Sequence, residues 1–290
     1  MFSTFSTISS VITKRASDIE TCPDPGADDL LWYKFDTTNG IDNATTGQLV
    51  NYAGTNNPTT LSGALINGPT LNAKETNQNA GFGSVTIGSV INGSTNTHKY
   101  IKCPLTIAMK YPTRATGFTI SSWVKIPASA AALTSYTAFS IFLLASSADT
   151  NWSAGLENTF DYSTAIPTAN STIVNISCVG TSVNYATNKL YDNNWHLHTV
   201  TINRDTNIFK VYLDGVFILT STGSTRLLSG IGTPMTCENY SYYNAFGRFP
   251  WQLTTDSITP IQYADIRIYK SELSASKIKG LYRDTANNHP

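Results

Sequence analysis

Ile208-Phe209-Lys210-Val211-Tyr212-Leu213-Asp214-Gly215-Val216-Phe217 is the stretch on which the fold turns. Phe209, Val211 and Leu213 alternate with Lys210 and Tyr212, the period of two that places one set of side chains on a single face of a strand. Asp214-Gly215 then separates two apolar runs. Both central residues of a two-residue hairpin turn need positive φ, which Gly adopts freely and Asp tolerates. The stretch therefore reads as a β-hairpin with its turn at Asp214-Gly215. Working outward, Leu31, Tyr33 and Phe35 alternate with Trp32 and Lys34. Phe118, Ile120 and Val124 alternate with Thr119, Ser121, Trp123 and Lys125. Such runs, bounded by Gly, Pro, Asn and Asp, recur from about Leu30 to Tyr269, the pattern of an antiparallel β-sandwich. Leu31, Phe35, Phe118, Ile120, Val211, Leu213, Ile266 and Ile268 are its expected core.

One stretch reads as a helix. Ser271 to Tyr282 offers Ser271 or Ser274 as N-cap and sets Leu273, Ile278 and Leu281 on one face, a short helix covering an edge or end of the sandwich. Residues 37–98 and 145–190 are rich in Asn, Thr, Ser and Gly with weaker alternation, and read as long loops and edge strands. No internal repeat or linker divides the chain after residue 25, so a single domain spans 26–290 behind an arm of residues 1–25. In that arm Phe2, Phe5, Ile8, Val11 and Ile12 fall near helical spacing, which suits a helix docking on a partner. Lys14 and Arg15 follow the apolar part, the reverse of a secretory signal, so the arm reads as retained. Ordering some 25 residues is costly in backbone entropy, so the arm is expected to add a strand to a sheet edge or to thread onto a neighbouring protein subunit.

The 290 residues carry 13% charged and 41% hydrophobic positions, and Ser, Thr and Asn supply 95 of them. Nineteen Lys and Arg balance nineteen Asp and Glu, which leaves no basic field for a nucleic acid. The longest apolar stretch, Phe139 to Ala145, falls far short of the roughly 20 residues that span a bilayer. Cys22, Cys103, Cys178 and Cys237 form no C-x-x-C pair and no zinc spacing; free thiols and disulfides both stay open. N-x-S/T sequons begin at Asn43, Asn92, Asn151, Asn170, Asn175 and Asn239, about as many as this composition yields by chance, so they say nothing of the compartment.

Four segments in order carry a resemblance. They are Leu31-Trp32-Tyr33-Lys34-Phe35-Asp36 with Asp42 behind it, and Gly117-Phe118-Thr119-Ile120-Ser121-Ser122-Trp123-Val124-Lys125. Asn194-Trp195-His196 follows, running through Val200 to Val211-Tyr212-Leu213-Asp214-Gly215, and then Ala264-Asp265-Ile266-Arg267-Ile268-Tyr269 with Leu273-Ser274, Ile278 and Leu281-Tyr282. Together they resemble the laminin-G-like group of the concanavalin A-like lectin and glucanase superfamily, over about residues 30–282. The resemblance implies an all-β, antiparallel jelly-roll β-sandwich with one short C-terminal helix and ligand loops at one rim. It also implies that Asp42 and Asp265 are the carboxylates to consider for a calcium ion, although Asp42 equally suits a turn cap.

The glucanases of the superfamily carry paired carboxylates as E-x-D-x-x-E or E-x-D-x-E, and this sequence has neither, so no enzymatic activity is expected. His196 and His198, at i and i+2 on a strand, share a face from which a zinc site could begin, but a third ligand is missing; hydrogen-bonded rim imidazoles are the plainer reading. Sugar recognition needs aromatic faces among amides and hydroxyls. Tyr240, Tyr242, Tyr243 and Trp251, in a segment rich in both, and Trp152 are the candidate ligand-binding rings; the competing reading packs these rings into a strand. Two function classes follow: a structural or surface protein, foremost a virion capsid or spike component, since large DNA viruses and phages encode free-standing proteins of this group, and a lectin-like module binding glycan or protein. A virion or extracellular surface is the expected location.

Overall fold

The computed structural model describes residues 19–26, 29, 31–36, 42, 47–53, 63–66, 68–73, 83–87, 99–102, 117–128, 138–145, 159–168, 171–178, 181–186, 192–203, 206, 208–222, 244–246 and 261–289. For 102, 118, 138–145, 159–168, 171–178, 181–186, 221–222 and 244–246 only the backbone is considered.

The strands are β1 (Leu31–Tyr33), β2 (Gln48–Leu49), β3 (Gly63–Ile66), β4 (Thr70–Asn72), β5 (Ser84–Ile87), β6 (Tyr100–Lys102), β7 (Gly117–Lys125), β8 (Ala138–Ala145), β9 (Thr159–Thr168), β10 (Ser171–Cys178), β11 (Thr181–Ala186), β12 (Trp195–Asn203), β13 (Ile208–Leu213), β14 (Val216–Thr222), β15 (Asn244–Phe246) and β16 (Ile261–Tyr269). Helix α1 (Ala275–Thr285) and a 3-10 turn (Ala286–Asn288) close the chain. They form a β-sandwich of two eight-stranded antiparallel sheets. The first runs β14-β13-β12-β7-β16-β5-β4 with β1 added on β16, and the second β11-β10-β9-β8-β15-β6-β3-β2.

The hairpin stands where the sequence places it, with Asp214 at φ +52° and Gly215 at +73°. Leu31, Phe35, Ile120, Val211, Leu213, Ile266 and Ile268 are all buried; the Phe118 side chain lies outside the described residues. Register explains the grouping: Ile120 pairs with Val200 on one side and Ile268 on the other, and Val200 with Val211.

Two expectations are corrected. The stretch 145–190 holds three long strands, β9 to β11, in a meander, because Thr, Val, Ile and Tyr suit a pleated backbone even where polar residues blur the apolar contrast. Pro167 falls at the register shift between Thr168 and Ala165, where a missing N–H is tolerated. The helix, moreover, covers neither an edge nor an end but the second face of the first sheet. Trp123, opposite Leu197, packs with Trp195, Tyr212, Tyr269 and Ala264 against Leu273, Ile278 and Leu281.

That cover is built locally and then docked. The Ser274 side chain accepts the Lys277 N–H at 3.2 Å and caps α1. Thr119 Oγ1 donates to Ser271 O at 2.8 Å and accepts from the Leu273 N–H at 2.9 Å, and Ser121 shares a hydrogen bond with Thr199 at 3.0 Å, so these three buried hydroxyls are paired, while Thr201 Oγ1, opposite Thr119, has no hydrogen-bond partner among the described residues. Residues 19–25 lie across α1 on their own domain. The Glu20 N–H donates to Ser276 Oγ at 2.9 Å, and Cys22, a buried free thiol whose pKa burial raises, joins the Trp123 cluster. A Cβ at Gly280 would collide with the Glu20 carbonyl oxygen. Residues 1–18 lie outside the described residues.

Candidate functional site

The described polar side chains gather at three carboxylates. Asp265 sits in the middle of β16, at a register shift between Ala264 and Arg267. Its φ of +47° is that of a bulge, a conformation Asp tolerates better than most residues. The bulge brings Arg267 back onto it: Nε reaches Oδ1 at 2.8 Å and Nη2 reaches Oδ2 at 2.9 Å. Trp32 Nε1 also donates to Oδ1 at 2.8 Å, and the remaining guanidinium nitrogen reaches Asp24 at 2.7 Å. Burial opposes the Arg267 charge, but the Asp265 carboxylate outweighs it and holds the pKa above the ordinary value. Two cations stand over the Trp32 ring, Lys34 Nζ 3.9 Å and Arg267 Cζ 4.8 Å from its centroid.

Asp42 is a loop staple. Its Oδ2 accepts the Asp36 N–H at 2.6 Å and its Oδ1 the Val50 N–H at 2.8 Å, tying the segment after β1 to the residue that follows β2. Burial pushes the Asp42 carboxyl up to about 6, against the two backbone hydrogen bonds. Asn51 repeats the motif, accepting from the Trp32 N–H at 2.8 Å and the Ala53 N–H at 3.0 Å. Both carboxylates singled out for calcium are thus engaged by protein donors. Among the described residues no group of three or more His, Cys, Asp or Glu is placed to hold a metal ion.

Asp214 is the third hub. From the turn, Oδ1 accepts the Leu197 N–H at 2.9 Å and Oδ2 meets His196 Nδ1 at 2.8 Å. His196 Nε2 faces Asp192 at 3.1 Å. Burial disfavours the imidazolium, yet the two carboxylates together raise the His196 pKa above its ordinary value. His198 shares its face of β12 but is no rim imidazole: it is wholly buried opposite Ser122, and burial, with the His196 charge, pushes it down to about 3. Sequence reasoning missed Arg267, Lys34 and Asn51 as parts of these hubs; the D-I-R spacing carried a signal for Arg267, since Asp and Arg two apart on a strand are neighbours. Trp152, Tyr240, Tyr242, Tyr243 and Trp251 lie outside the described residues.

These features define a class: an antiparallel β-sandwich of two eight-stranded sheets, with Asp42, Asp214 and Asp265 each engaged by protein groups. The family Laminin_G_3, described as the concanavalin A-like lectin/glucanases superfamily, matches residues 95–279, and the chain belongs to it. Solved structures of the same fold include the botulinum neurotoxin serotype D binding domain, at 16% identity and a TM-score of 0.56 over 89% of this chain and 51% of that one. The binding domain of botulinum neurotoxin DC in complex with rat synaptotagmin II matches at 16% and 0.56, over 89% and 52%. The serotype D ligand binding domain in complex with N-acetylneuraminic acid matches at 14% and 0.52, over 89% and 51%. The chain spans about half the length of these structures, and at such identities the likeness is one of fold. A comparison with curated protein sequences returned no match. Among the described residues no helix is long and apolar enough to cross a membrane.

Proposed function

We propose that this chain is a non-enzymatic recognition module that binds a glycan at a virion or extracellular surface. One observation carries the non-enzymatic part: Asp42, Asp214 and Asp265 each spend both oxygens on backbone amides, His196, Trp32 or Arg267, which leaves none of the three poised as an acid or nucleophile. The fold supports the recognition part, since domains with this fold have been solved in complex with N-acetylneuraminic acid and with a synaptotagmin. Trp152, Tyr240, Tyr242, Tyr243 and Trp251 are the rings proposed to stack on the sugar. Calcium is not needed for this reading.

The test is a glycan array and sialylated-ganglioside vesicles presented to the full chain and to alanine variants of those five positions. Selective retention, lost in at least one ring variant, is the expected result. Retention of a protein and of no glycan would move the ligand class, and retention of neither would end the reading. The virion-subunit alternative draws on the neutral, Ser/Thr/Asn-rich composition. Its arm has less reach than the sequence suggests, because residues 19–25 are already bound to their own domain. If the full chain self-assembles and a chain lacking residues 2–18 does not, that alternative gains the ground.

A further inference from the structure

The C-terminal end of the chain is held by an aromatic slot. Past the 3-10 turn, His289 is 3% exposed, with its ring centroid 4.9 Å from that of Trp123 on β7 and 5.5 Å from that of Trp195 on β12. Beside it, Tyr282 of α1 stacks on Trp123 at 5.7 Å, and Trp123 Nε1 donates to Thr285 Oγ1 at 3.0 Å. The imidazole therefore sits under the same cover that holds α1 and, through α1, residues 20–22.

The groups around it suit a neutral ring. From β16, the charge of Asp265 reaches His289, but that carboxylate is committed to Arg267, whose own positive charge reaches the ring too. From β7, Lys125 lies with Nζ 5.9 Å from the Trp195 ring centroid, adding a second cation on this face. From α1 comes the uncharged Tyr282 phenol, and from residues 19–25 come Asp24, engaged with Arg267, and the buried Cys22 thiol. His196 projects from the opposite face of β12 and is paired with Asp192 and Asp214.

We propose that His289 is an acid-released latch: neutral, it plugs the slot between Trp123 and Trp195 and holds the C-terminal turn and α1 on the first sheet; protonated, it leaves the slot and loosens both. Burial pushes its pKa down to about 4, against an ordinary value near 6.5, so the closed form is favoured above pH 6.5 and loses its advantage as pH falls toward 4. That gap makes the open form on the order of 50- to 100-fold more populated at pH 4.5 than at pH 7.5. The terminal turn opens without breaking a strand, whereas His198 is reached only by parting β12 from β7 and β13. Acid thus acts first at the latch, baring Trp123 and Trp195 while the sheet stays closed.

The experiment is amide hydrogen exchange on the full chain at pH 7.5 and 4.5, corrected for intrinsic rates, for wild type and His289→Phe. Wild type is expected to gain exchange in acid by the factor above across residues 275–289, with a smaller gain at 19–26 and continued protection of β7, β12 and β16. His289→Phe, which keeps a ring in the slot without a charge, is expected to show no acid-dependent gain there. An undiminished gain in His289→Phe, or strands opening together with the helix in wild type, would overturn the proposal. If the variant does not fold, the ring of wild-type His289 is titrated by NMR: a midpoint near 4 that moves with the Trp123 indole signal supports the latch, and one near 6.5 refutes it.

Discussion

Removing the Asp265 carboxylate should be among the costliest single changes in the described structure. Arg267 is 3% exposed at its side chain and Asp265 1%, so the substitution strands a guanidinium in a dry setting, with the Asp24 carboxylate and the Tyr269 hydroxyl left to it. Breaking a buried pair from one side costs about 3–5 kcal/mol. Asp265→Asn preserves a residue tolerant of the positive φ and an acceptor for Trp32 Nε1, so it should fall near the lower end, about 3 kcal/mol. Asp265→Ala also loses the Trp32 hydrogen bond and strains the backbone, and should reach about 5 kcal/mol or more. Asp265→Ala combined with Arg267→Met removes both charges and should cost less than the sum of the two single changes by about 2 kcal/mol. Urea unfolding at pH 7, followed by tryptophan fluorescence and circular dichroism, measures all four variants. If Asp265→Ala costs less than 1 kcal/mol, or the double variant is additive, the pair is not the hub described.

Ile120→Ala, at the centre of the first sheet and fully buried, should cost about 2–5 kcal/mol in the same unfolding assay, and a near-neutral result would move the core elsewhere. Gly280→Ala sets a helix-propensity gain of about 1 kcal/mol against a clash with the Glu20 carbonyl; the clash should win, seen as faster amide exchange at residues 19–22 with α1 intact. His196 has a raised pKa in the folded state, so the stability it contributes is complete below about pH 6.5 and is lost as pH rises through that raised value. His196→Gln should therefore flatten the stability profile above pH 6.5, and an unchanged profile there would show that the two carboxylates do not clamp it.

The hairpin at Asp214-Gly215, the N-cap at Ser274 and the inner core were legible because each depends on residues a few positions apart. The second face of the first sheet was not. Trp123 falls at the polar phase of its strand, and what buries it is α1 and Cys22, joined by contacts such as Glu20 to Ser276 and Trp123 to Thr285 between residues far apart in the chain. The stretch holding β9 to β11 was read as long loops and edge strands because Thr, Ser and Asn accept an extended backbone without marking a face. Asp42 and Asp265 were singled out for calcium on the resemblance, whereas the protein donors they bind depend on a loop closure and a bulge that no local pattern encodes.

Native mass spectrometry of the full chain mixed with a broad panel of sialylated and neutral oligosaccharides tests the recognition reading most directly. The account predicts complexes at the mass of the chain plus an intact glycan, with no shortened sugars in solution after prolonged incubation. Shortened sugars, or the absence of any complex across the panel, would contradict it.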